Sequence, residues 1–130
     1  MMQKWLLAVF LLLFFWSAGR AQADIFAPMK TAIKAADAKE LSKHFNQSVD
    51  VNLEGNVNTY SKTQAEFVLR DFFKKHPVTE FEIVHTGSTP GGLKFAIGNY
   101  FSAQEKFRVL IRVKQVGDTN LIHEISFVKE

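Results

Sequence analysis

The sequence predicts an α+β domain in which helices and a short hairpin precede a capped helix and a four-strand antiparallel meander. Two observations carry this. Ser61-Lys62-Thr63-Gln64 is a capping box, a Ser-x-x-Gln in which each side chain can satisfy the other residue's backbone N–H and so open a helix. From Thr79 to the C-terminus, four stretches of alternating apolar and polar residues are separated by short turn segments, the pattern of half-buried strands in sequence order.

Residues 1–23 read as a cleavable signal peptide. Lys4 supplies the positive end, Trp5 to Trp16 is a nearly continuous apolar run, and Ala21-Gln22-Ala23 has the small-x-small pattern of a cleavage site, with the cut after Ala23. The run is too short for a membrane-spanning helix, which needs about 20 apolar residues, so no stable membrane anchor is expected after cleavage. The expected location is periplasmic or secreted. The chain has no cysteine, which excludes disulfides, thiolate metal sites and a cysteine nucleophile.

Loss of Lys4 and Arg20 with the leader lowers the net charge from +3 for the full chain to about +1, so the mature chain has little appetite for polyanions and no nucleic-acid partner is expected. Residues 24–130 suit one compact domain with its own core.

Along that domain, Ile25, Phe26, Met29 and Ile33 recur at helical spacing, with Pro28 tolerated in the opening turn. Asp37 stands three residues before Glu40 and opens a second helix, with Leu41 and Phe45 on its buried side. Val49, Val51 and Leu53 then alternate with polar residues up to Gly55-Asn56, and Val57 to Tyr60 returns as a short hairpin. The capped helix buries Ala65, Val68, Leu69 and Phe72, with Phe67 and Phe73 widening the stripe, and ends in Lys74, Lys75 and His76 before Pro77.

The meander strands are expected at Glu80 to Gly87, Lys94 to Ser102, Lys106 to Gln115 and Asn120 to Lys129. Hydrophobic alternation assigns Phe81, Ile83, His85, Phe95, Ile97, Asn99, Phe101, Phe107, Val109, Ile111, Val113, Leu121, His123, Ile125 and Phe127 to the core face. Phe101 would then face Phe107, and Ile97 would face Ile111. Three inter-strand spacings of about 4.8 Å separate His85 from His123 by roughly 14 Å in a flat sheet, too far for shared metal coordination. No metal site or cofactor is expected, because His44, His76, His85 and His123 follow no ligand spacing.

The order of elements resembles the nuclear transport factor 2-like, or cystatin-like, α+β cone, in which a curved sheet wraps a long helix. Lys43-His44-Phe45-Asn46, Val49-Asp50-Val51-Asn52, Tyr60-Ser61-Lys62, Gln64-Ala65-Glu66, Asp71-Phe72-Phe73 and Phe107-Arg108-Val109 resemble a family of small exported bacterial proteins of unknown function assigned to that fold. The resemblance implies a fold and no single reaction, since the wider superfamily holds isomerases, dehydratases, binding modules and dimerising adaptors.

Two sets of residues are therefore candidates. His85, Asn99, His123 and Tyr60 would line a pocket in the cone's mouth, or be hydrogen-bonded core and rim residues. Tyr100, Arg108, Leu110, Arg112 and Ile122 would lie on the reverse face, as a sheet-to-sheet interface or as solvated ion pairs with Glu80, Glu82 and Glu124. A lyase or isomerase that abstracts a proton beside a carbonyl needs an inward carboxylate, and the assigned core face has none; Asp50 and Asp71 are the nearest substitutes. The expectation is an exported, non-catalytic module that forms a homodimer, binds another protein, or holds a small apolar ligand. The alternative is a small lyase or isomerase using His85 or His123 as acid or base.

Overall fold

The computed structural model describes residues 24–130; the predicted signal peptide lies outside the described residues. The elements are α1 (Ala27–Lys34), α2 (Ala38–Ser42), β1 (Phe45–Leu53), β2 (Asn56–Ser61), α3 (Lys62–Lys75), β3 (Glu80–Ser88), β4 (Lys94–Ser102), β5 (Glu105–Val116) and β6 (Thr119–Lys129). The strands form one sheet in the order β2-β1-β6-β5-β4-β3. Among the described residues, no helix is long and apolar enough to cross a membrane.

Local chemistry explains the helices. Phe26, Met29 and Ile33 are buried along one side of α1, with Pro28 in its first turn, where a missing N–H costs nothing. The chain then turns through Ala36 at φ 52°, and the Asp37 carboxylate accepts the Glu40 N–H at 3.0 Å to cap α2. That helix is short: Phe45, expected on its buried side, is instead the first residue of β1. At Ser61 both halves of the capping box form, Gln64 N–H to Ser61 Oγ at 3.2 Å and Ser61 N–H to Gln64 Oε1 at 3.2 Å. Ser61→Ala should lower stability by about 1 kcal/mol while Ser61→Thr keeps most of it, as read from urea midpoints at unchanged slope. Phe67, expected inward, is 56% exposed on α3.

The hairpin and the meander merge. β1 pairs antiparallel with β2 through a turn in which Glu54 and Gly55 both have positive φ, and it also pairs parallel with β6. That second pairing places the helices between the two ends of a single curved surface.

Two registers differ from the expectation. The turn after β4 has two residues, Ala103 and Gln104, so Ser102 pairs Glu105 and Tyr100, not Phe101, faces Phe107. The inward residues of β4 are therefore Ala96, Gly98, Tyr100 and Ser102, while Phe95, Ile97, Asn99 and Phe101 face outward. Apolar residues on both sides of this strand hid the shift. Small side chains line the inside because the Phe81 ring packs against Gly98, and Tyr100 can be buried because its hydroxyl donates to the carbonyl of His76. Bulges account for the rest. One between Ile83 and His85 leaves Phe81 and Ile83 inward but pairs His85 with outward Ile97; another at His123 puts both Ile122 and Ile125 in the core and Leu121 opposite Lys114.

Candidate functional site

Aromatic side chains fill the inside of the cone. The Phe72 ring of α3 lies 4.7 Å from Phe127, 5.3 Å from Phe107 and 5.7 Å from Tyr100, with Phe73 stacked 6.2 Å from Tyr100. Burial pushes the Tyr100 phenol well above its ordinary pKa, so it stays protonated as a donor.

The sequence-predicted residues do not assemble into a pocket. His85 is exposed on the outer face, its ring 5.8 Å from Phe95. Asn99 faces outward too, and its amide donates to Glu82 at 3.3 Å. Tyr60 lies opposite Val49 on β2, half-buried against the core. His123 sits in the β6 bulge with a buried Nδ1 that has no hydrogen-bond partner among the described residues. Tyr100 and Ile122, proposed for the reverse face, are fully buried in the core. Asp50 accepts the Thr59 hydroxyl at 2.6 Å, and Asp71 pairs with Lys75 at 3.0 Å in an exposed helix-face bridge. Among the described residues, the histidine with a carboxylate within 4.0 Å is His76, and neither His85 nor His123 has one.

Arg108, Leu110 and Arg112 do share the outer face, and the register makes that face explicit. Across the sheet one outward row runs Asn52, Ser126, Leu110, Ile97 and His85. Flanking rows place Val128, Arg108, Asn99 and Glu82 on one side, and Asp50, Glu124, Arg112 and Phe95 on the other. Arg108 bonds Glu130 at 2.7 Å and Arg112 lies 3.8 Å from Glu124. The apolar centre is thus framed by charges of both signs.

A further cluster was invisible to sequence reasoning. His76 caps the end of α3, its ring against Phe72 at 4.9 Å and Phe107 at 5.0 Å, and its Nδ1 lies 2.9 Å from Glu105 Oε1. The second Glu105 oxygen is held by Lys129 at 3.0 Å, and Lys129 and His76 together keep this carboxyl below its ordinary pKa. Twenty-nine residues separate His76 from Glu105, and the fold brings the end of α3 against the start of β5. Beside His76 opens a groove of about 380 Å³ lined by Leu53, Glu54, Phe67, Val68, Asp71, Phe72 and Lys75. At the other end of the fold, burial lowers the pKa of His44, whose carbonyl accepts the Ile122 N–H at 2.6 Å.

A curved sheet closed over a capped helix, with an aromatic interior, defines a nuclear transport factor 2-like, or cystatin-like, α+β cone. An uncharacterized cystatin fold protein from Novosphingobium aromaticivorans, 18% identical, shares this fold at a TM-score of 0.60 over 78% of this chain and 92% of that one. The chain belongs to the family described as domain of unknown function DUF4783, which matches residues 26–128. A crystal structure of a DUF4783 family protein from Bacteroides ovatus is 31% identical, with a TM-score of 0.75 over 80% of this chain and 94% of that one. One from Bacteroides uniformis is 27% identical, with a TM-score of 0.77 over 82% of this chain and 98% of that one. A search of curated proteins finds no match.

Proposed function

We propose that the chain is an exported, non-catalytic interaction module that pairs with a second copy of itself through the outer face of its sheet. The observation that supports this is the outward row centred on Leu110 and Ile97, which lies on the side of the sheet opposite the helices. An isologous interface brings one surface against itself, so it needs charges of both signs on that surface. Arg108 and Arg112 beside Glu82, Glu124 and Glu130 meet that requirement. Four strands at about 4.8 Å and about nine residues at about 3.3 Å span on the order of 600 Å², near the scale of a standard interface per partner. Export rests on the leader pattern of residues 1–23.

The protein purified after export should sediment as a dimer. Leu110→Glu, or charge reversal at Arg108 and Arg112 together, should convert it to a monomer with little change in thermal unfolding of the monomer fold. A wild-type monomer at the highest attainable concentration would overturn the reading.

A further inference from the structure

The groove beside His76 has a polarity that selects its occupant. Its wall is hydrocarbon from Leu53, Phe67, Val68 and Phe72, and Phe67 leaves more than half of its surface in water there. Its charged lining is Glu54, Asp71 and Lys75, a net negative set, and Lys75 is already engaged by Asp71 at 3.0 Å. Glu54 has no ion-pair partner within 4.0 Å among the described residues, although Lys129 lies near enough to feel its charge. Because the carboxylate of Glu105 faces Nδ1 of His76, the neutral imidazole carries its proton on Nδ1. Nε2 is then a lone pair, with no hydrogen-bond partner among the described residues. The groove also lies along the last turns of α3, the negative pole of that helix. With the imidazole neutral, the polar side-chain groups of the lining that no neighbour engages are the Glu54 carboxylate and Nε2 of His76.

We propose that this groove binds a small apolar molecule carrying a protonated amine, its hydrocarbon on Phe67, Val68 and Phe72 and its ammonium drawn to Glu54 and to Nε2 of His76. The site is on the helix side of the sheet and is independent of self-association through the outer face. A carboxylate of the same shape would meet Glu54 as a like charge, and an alcohol would satisfy Nε2 but leave Glu54 unneutralised.

The test is a titration of the exported protein with hexylamine, hexanol and hexanoate at neutral pH, followed by amide NMR shifts. Hexylamine should move the resonances of Leu53, Val68, Phe72 and His76 and bind more tightly than either control. Glu54→Gln should weaken hexylamine roughly two- to fivefold, the range of a solvent-exposed ion pair. Lys75→Gln, which removes the competing cation from Asp71, should strengthen it. No shift with hexylamine, equal binding of hexanoate or hexanol, or indifference to Glu54→Gln would overturn the proposal.

Discussion

Phe72→Ala should destabilise the protein by about 3–5 kcal/mol, the range for emptying a buried aromatic site. Phe72 is 4% exposed, and its ring lies within about 6 Å of Phe73, Tyr100, Phe107, Phe127 and His76. Its ring packs against β4, β5 and β6 together, through Tyr100, Phe107 and Phe127, so the void cannot be closed by moving a single neighbour. A loss of that size is comparable with the whole stability of many small domains. Equilibrium urea unfolding should show a much lower midpoint, with Phe72→Leu recovering most of the loss. The contrast on the same helix is Phe67→Ala, which should cost no more than about 0.5 kcal/mol because that ring is largely in water. If Phe72→Ala costs less than about 1 kcal/mol, the interior of the cone is plastic and its aromatic packing is not what holds the helix to the sheet.

The elements were legible because their signals are local. The capping box at Ser61 and the turn segments bounding the meander placed α3 and the starts or ends of β3 to β6 within a residue of where they lie. The faces of the strands were less legible, because face depends on registers that span the sheet. Phe95, Ile97 and Phe101 are more apolar than Ala96, Gly98 and Tyr100, so hydrophobicity alone turns β4 over. What decides the matter is the two-residue turn at Ala103 and Gln104, together with a partner for the Tyr100 hydroxyl. Bulges at Val84 and His123 reset the alternation without leaving a pattern in the sequence. The candidate groove is no more legible, because it joins α3 to the end of β1 across the fold. His76 and Glu105 read separately as a helix end and a turn residue, and no spacing rule joins them. Arg108, Leu110 and Arg112 are legible as residues of one face because they lie on β5, whose inward residues from Phe107 to Val113 alternate without interruption.

The bulge opposite β4 also sets the second large effect, at Gly98. Its φ is not positive, so the requirement for glycine is one of space. A Cβ at this position would stand 2.6 Å from the backbone oxygen of Glu82 and 2.9 Å from a ring carbon of Phe81. The ring is itself 1% exposed and enclosed, and the oxygen belongs to the neighbouring strand, so relief requires β3 to move away from β4. Gly98→Ala should therefore cost about 3 kcal/mol, the upper part of the range for overpacking, and Gly98→Val more. Gly87 supplies the control. A Cβ there would stand equally close, 2.6 Å, to Phe95, but to the far end of a side chain that is only partly buried on the outer face and can swing aside. Gly87→Ala should accordingly cost less than about 1 kcal/mol. Hydrogen exchange separates the two mechanisms: in Gly98→Ala the amides of Glu82, Ile83 and Asn99 should lose protection before the rest of the sheet, whereas in Gly87→Ala they should not. Equal losses in the two variants would mean that the β3–β4 seam yields as easily as a side chain, and that the glycine opposite the bulge is not what lets the sheet close on Phe81.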